Sequence, residues 1–62
     1  MIKKCVVRNS HSEEILIYQN SVGHVYVCED GKPVHRAIMS YSDMIDVFEQ
    51  QGFRKVSEYI ES

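Results

Sequence analysis

The first two-thirds of the chain consist of short runs of β-branched and aromatic residues separated by turn sequences. Between the runs lie clusters of Asn, Ser, Asp and Gly, of which Asp30-Gly31 is the strongest hairpin dipeptide. Strands of this length, joined by hairpin-sized gaps, are typical of an antiparallel meander. The predicted strands cover about 2–8, 13–19, 24–29 and 34–40.

The turn between the second and third strands predicts which side chains share a face. Asn20 and Gly23 suit the first and fourth positions of a type I turn that is closed by a left-handed glycine. In that register odd-numbered residues pair with odd-numbered ones, whereas a two-residue loop would mix the two sets. One face then carries Ile15, Ile17, Val25 and Val27, and the other carries Leu16, Tyr18, Tyr26 and Cys28.

After Ser40 the hydrophobic period changes from two to 3.6 residues, which is typical of an amphipathic helix. The pattern predicts a helix over 42–51, with Ser42 as its N-cap and Gly52 as the residue that ends it. The apolar stripe of this helix is formed by Tyr41, Met44, Ile45 and Phe48.

The last ten residues fit two interpretations. Phe53, Val56 and Ile60 follow a helical stripe, so we favour a short helix over 54–61. The alternative is a terminal strand that adds to an edge of the sheet. With the helix, residues 1–62 form a single small α+β domain: a four-stranded antiparallel β-meander followed by one amphipathic helix and a short C-terminal helix packed on one face.

The two middle strands are apolar on both sides, although the strands of a sheet with one solvent-exposed face should alternate apolar and polar residues. Four strands make a sheet about 20 Å wide, and a helix about 10 Å across covers roughly two of them. Two short helices therefore cover one face, and the other needs a partner unless long neighbouring side chains lie over it. We predict a homodimer through Leu16, Tyr18, Tyr26 and Met39.

The composition and the net charge limit the classes of function that the chain can have. A chain of 62 residues with 44% hydrophobic and 26% charged residues folds as one domain. At this size it buries only about 60% of its unfolded surface, so a partner would add stability. The net charge of −2 argues against a basic nucleic-acid module. The acidic side of the predicted helix suggests a contact with an outside protein, through Asp43, Asp46 and Glu49.

Basic residues leave nucleic-acid binding as the alternative. They are scattered along the chain, but folding that gathered them beside an exposed Tyr18 or Tyr26 would create a surface for single strands. The candidates for this contact are Lys3, Lys4, Arg8, Arg54 and Lys55.

No motif indicates catalysis, a metal or a cofactor. The chain has no CxxC, HxxxH or HExxH spacing, and its three glycines are isolated. His24 and Cys28 lie about 13 Å apart on one strand, too far for a shared zinc ion. Cys5 and Cys28 are expected to be reduced, because small secreted domains usually carry more cysteines.

The patterns together favour a non-enzymatic interaction protein: a small regulator, adaptor or inhibitor that binds a larger protein partner as a homodimer. We expect it in the cytoplasm and away from membranes, because no apolar run approaches the roughly 18 residues of a membrane span. The alternative function is a small nucleic-acid-binding transcriptional regulator.

Overall fold

Within residues 1–61, five strands form one antiparallel sheet, and a single helix packs against one of its faces. The computed structural model describes residues 1–61. The strand order is β4-β3-β2-β1-β5, so the chain forms a four-stranded meander and then returns to place its last strand beside its first. The α+β class is confirmed. The elements are β1 (Ile2–Arg8), β2 (Glu14–Gln19), β3 (Val25–Glu29), β4 (His35–Ala37), α1 (Tyr41–Gln50) and β5 (Arg54–Glu61).

The β2–β3 hairpin has the predicted three-residue loop. Gly23 has φ +93°, and its N–H donates to the Asn20 carbonyl over 3.0 Å. The Asn20 side-chain oxygen accepts a further bond from the His24 N–H at 2.9 Å. The resulting register pairs Ile17 with Val27 and Tyr18 with Tyr26. The predicted division of side chains between the two faces is therefore confirmed.

The predicted C-terminal helix is wrong, because the segment forms the eight-residue strand β5. A helix of that length is marginal in water, whereas a strand can pair with the otherwise open edge of β1. The pairing runs from Arg54 opposite Arg8 to Glu61 opposite Ile2. The sheet accordingly has five strands instead of four, and the described part of the chain has one helix instead of two.

Helix α1 begins one residue earlier than predicted, and its N-cap is Ser40 instead of Ser42. The Ser40 hydroxyl accepts a hydrogen bond from the Asp43 N–H at 3.2 Å, which satisfies one of the free donors of the first turn. Ser42 lies inside that turn, where its side chain is too far along the helix to cap it.

Gly52 ends the helix as predicted. With φ +93° it directs its N–H to the Glu49 carbonyl, while the Phe53 N–H reaches the Phe48 carbonyl at 3.0 Å. This pair of bonds is the Schellman arrangement. The rings of Phe48 and Phe53 pack edge to face, 5.4 Å apart, so the helix end is held by both backbone and side-chain contacts.

The core lies between α1 and one face of the sheet. Strand β4 contributes little to it, because it is three residues long and follows Pro33. The predicted fourth strand over 34–40 is therefore too long, and Ile38 and Met39 belong to the connection to α1. The buried residues are Cys5, Val7, Ile15, Ile17, Val25, Val27, Tyr41, Ile45 and Phe48.

Candidate binding surface on the open face of the sheet

The sheet face opposite α1 is covered by no other element of residues 1–61. Because side chains alternate along a strand, the residues next to the buried ones point to this side. We call this side the open face. It carries Ile2, Lys4, Val6, Arg8, Glu14, Leu16, Tyr18, Tyr26, Cys28, Arg36, Arg54, Ser57, Tyr59 and Glu61.

One line of directly paired residues crosses all five strands on the open face. From β4 to β5 this line, the tyrosine row, consists of Arg36, Tyr26, Tyr18, Lys4 and Tyr59. With strands about 4.8 Å apart, the row is about 19 Å long. It brings three aromatic rings and two cations from five separate segments into one line.

The tyrosine rings lie close to one another and to the cations. The ring centroids of Tyr18 and Tyr26 are 6.3 Å apart, with an angle of 31° between the ring planes. The Lys4 ammonium lies 5.4 Å from the centroid of Tyr59, within cation–π range. Tyr59 is 49% exposed, so its ring remains available to a ligand.

A second line beside the tyrosine row is smaller and mostly apolar. It runs from Cys28 through Leu16 and Val6 to Ser57. Small side chains next to the Tyr59 ring leave a shallow depression of about 270 Å³, which is lined by Val6, Leu16, Ser57 and Tyr59 among others. A flat ring bound on Tyr59 would therefore have apolar walls beside it.

Charge is distributed unevenly between the two sides of the molecule. The open face holds four basic and two acidic side chains, whereas the rest of the chain holds three basic and seven acidic ones. Both open-face carboxylates already have partners: Glu14 accepts from Arg8 at 2.7 Å, and Glu61 accepts from the Tyr59 hydroxyl at 2.8 Å. The open face is therefore basic, although the net charge of the whole chain is negative.

The predicted self-association residues are only partly brought together. Leu16, Tyr18 and Tyr26 lie side by side on the open face. Met39 lies off the sheet, in the connection between β4 and α1, where it borders a separate depression with Val25 and Ala37.

The predicted acidic contact lies on the opposite side of the molecule. Asp43, Asp46 and Glu49 are all exposed on α1. Asp46 and Glu49 line a shallow groove between α1 and β5, together with Lys3 and Lys55. Asp43 is not among the residues that line this groove.

The five basic residues of the nucleic-acid alternative divide between the two faces. Lys4, Arg8 and Arg54 share the open face. Lys3 lies on the helix side, with its ammonium 5.6 Å from the Tyr41 ring centroid. Lys55 is also on that side, where it forms an ion pair of 3.0 Å with Glu58.

Arg36 and Tyr59 are site residues that the sequence pattern alone does not indicate. The fourth run alternates poorly, so its pattern sets no register with β3 and gives Arg36 no partner. The helical spacing of the last ten residues would put Tyr59 on a helix, and only the strand alternative puts it beside Lys4. The β-forming pair Tyr59-Ile60 was the available indication of that strand.

The most connected side-chain cluster lies on the helix side and has a structural role. The Tyr41 hydroxyl donates to Glu58 at 3.0 Å, and the hydrogen bond from Lys55, followed by that from Tyr41, lowers the pKa of the Glu58 carboxyl. Burial raises the pKa of the Cys5 thiol, which is 1% exposed. A buried thiol that resists ionisation is a poor nucleophile.

The cysteines and the possible metal ligands are dispersed within residues 1–61. Both cysteines are free, and they lie on opposite faces of the sheet. Within residues 1–61, no three His, Cys, Asp or Glu side chains are grouped so as to hold a metal ion. No helix in this part of the chain has the length and apolar character needed to cross a bilayer.

Comparison of the chain with protein-family models, with curated proteins and with solved structures gives no match. The function is therefore inferred from the geometry of the open face.

Proposed function

We propose that this protein is a non-enzymatic binding protein and that its open face binds single-stranded nucleic acid. The observation that carries the proposal is the tyrosine row, in which three rings and two cations share one line. Proteins that bind single strands combine aromatic platforms for the bases with cations for the backbone. Stacking of a base on an aromatic side chain contributes about 1–3 kcal/mol.

The shape of the surface favours a single strand over a duplex. Within residues 1–61 the one helix packs on the opposite side of the sheet, so the open face presents a broad sheet and no helix that could enter a groove. Base faces are available for stacking only where the bases are unpaired. The row has room for two or three bases on Tyr18, Tyr26 and Tyr59, with Lys4 and Arg36 placed to meet phosphates.

The charge distribution supports the same ligand. A polyanion is attracted to the open face and repelled by the acidic helix side, so it would meet the sheet in one orientation. Arg54, which lies beside Arg8 at one end of the open face, extends the basic surface beyond the row, whereas the charge of Arg8 is compensated by its ion pair with Glu14. The acidic isoelectric point of the whole chain is compatible with this local contact.

A protein partner is the second candidate. It is favoured by the apolar line of Cys28, Leu16 and Val6, which a homodimer or a larger protein would bury. Two open faces packed against each other would also desolvate Lys4 and Arg36, which is costly without matched carboxylates. The roles of regulator, adaptor or inhibitor and the cytoplasmic location remain predictions.

Fluorescence anisotropy with labelled oligo-uridine and oligo-thymidine of about ten nucleotides tests the proposal. We expect saturable binding that weakens as salt rises, with a logarithmic slope of about −0.7 for each phosphate contacted. A duplex of the same length should bind more weakly than the single strand.

Matched variants locate the contact. Tyr26→Leu keeps an apolar side chain but removes the ring, so we expect binding to weaken by about 5- to 150-fold. Lys4→Gln should weaken binding and reduce the salt slope, whereas Lys32→Gln, which removes the same charge from the β3–β4 turn, should leave both unchanged. Absence of binding by the parent protein, together with a dimer that Tyr18→Glu dissociates, would favour the protein-partner candidate instead.

A further inference from the structure

We infer that the outer edge of β5 pairs with β5 of a second copy of this chain, which joins two sheets into one. The two edges of the sheet differ. Strand β4 is three residues long and follows Pro33, two features that protect an edge from further pairing. Strand β5 has eight residues without proline, and all eight are exposed.

The apolar residues of β5 are exposed on both sides of the strand. Val56, Tyr59 and Ile60 are each about half exposed, at 47%, 49% and 54%. Among residues 1–61, β5 pairs only with β1, so its other row of backbone groups faces solvent. Pairing with another strand would satisfy those groups and shelter part of this apolar surface.

The charge pattern of β5 suits a second copy as the partner. Its basic residues, Arg54 and Lys55, stand at the beginning, and its acidic residues, Glu58 and Glu61, stand towards the end. A two-fold antiparallel pairing sets the basic end of each strand against the acidic end of the other. Cross-strand pairs of opposite charge stabilise such an alignment, whereas a parallel alignment would oppose like charges.

The pairing would also extend the binding surface, a consequence that rests on the proposed function. A two-fold axis perpendicular to the sheet keeps both open faces on the same side. Tyr59 is the β5 member of each tyrosine row. With the basic end of each β5 against the acidic end of the other, the two Tyr59 residues lie near the two-fold axis but not opposite each other, so the two rows run side by side with an offset along the strands. The dimer would then bind a longer single strand more tightly than either copy alone.

Sedimentation without nucleic acid tests the edge pairing separately from ligand binding. With rising concentration we expect the mass to increase from the 7.2 kDa of one chain to twice that value. Hydrogen exchange should show concentration-dependent protection of alternate β5 amides. A single species of one-chain mass at all concentrations up to about 1 mM would overturn the inference, whatever the outcome with nucleic acid.

Charge exchange provides the matched variants. Arg54→Glu and Glu61→Arg should each weaken dimerisation, and the double variant should restore it, because opposite charges again face each other. Lys32→Glu, the same kind of charge reversal in the β3–β4 turn, serves as the control and should leave the mass unchanged. Failure of the double variant to recover association would contradict the proposed alignment.

Discussion

At the scale of single residues, Glu58 links the last strand to the helix. It accepts a hydrogen bond from Tyr41 at 3.0 Å and pairs with Lys55 at 3.0 Å. These contacts require the ionised carboxylate and lower its pKa in the folded protein. A depressed folded pKa contributes stability at pH values above the unfolded pKa, and that contribution is lost as the pH falls through the folded value.

Replacing this carboxylate should therefore change how stability depends on pH. Chemical denaturation at a series of pH values should show that Glu58→Gln lowers the free energy of unfolding near neutral pH. The difference from the parent should shrink as the pH falls below the ordinary range of a glutamate. Glu13→Gln, at an exposed position in the β1–β2 turn, is the control. A difference that stayed constant down to low pH would show that the ionised carboxylate has no special role.

At the scale of elements, the sequence predicts the C-terminal end of α1 better than the N-terminal end. The Gly52 terminus follows from the sequence, because a glycine after the last apolar stripe residue suits the left-handed position that ends a helix. The N-terminus does not follow as directly. Ser40 precedes the first turn and Ser42 lies within it. Only the backbone conformation shows that Ser40 makes the capping bond.

The two serines provide a matched test of this correction. Ser40→Ala removes the acceptor for the Asp43 N–H and should reduce the free energy of unfolding by about 1 kcal/mol. Ser42→Ala, two residues further along, should change it by less than about 0.5 kcal/mol. Equal losses in thermal or chemical denaturation would mean that the hydroxyl of Ser40 is not the cap.

The last strand illustrates why local pattern alone was insufficient. Val56 and Ile60 are four residues apart, a spacing that a helix would place on one side. In the sheet a register shift opposite Val6 and Val7 changes the alternation of β5, so the strand lacks a simple period of two. Its conformation depends on pairing with β1, 46 to 59 residues earlier in the chain, and this pairing is not encoded in neighbouring residues.

At the scale of the whole molecule, the same non-local pairing creates the candidate site. The β2–β3 face assignment was predictable from one turn, so Tyr18 and Tyr26 were expected to be neighbours. Lys4 joins them because β1 pairs with β2, and Tyr59 joins because β5 pairs with β1. The sequence therefore identified part of an exposed apolar face, whereas its alternation of rings and cations emerged only from the assembled sheet.

The distribution of charge over the folded molecule also decides whether a nucleic-acid ligand is compatible with the chain. A net charge of −2 argued against nucleic acid when it was averaged over 62 residues. The sheet separates a basic open face from an acidic helix side, and a ligand responds to the local field of the surface that it approaches.

Chemical-shift mapping of the labelled protein during titration with single-stranded oligo-uridine shows which surface of the protein contacts the nucleic acid. We predict that the largest amide and ring shifts occur along the tyrosine row, at Lys4, Tyr18, Tyr26, Arg36 and Tyr59, and that α1 is almost unaffected. Shifts concentrated on α1, or no shifts at low salt, would contradict the assignment of the open face as a surface for single strands.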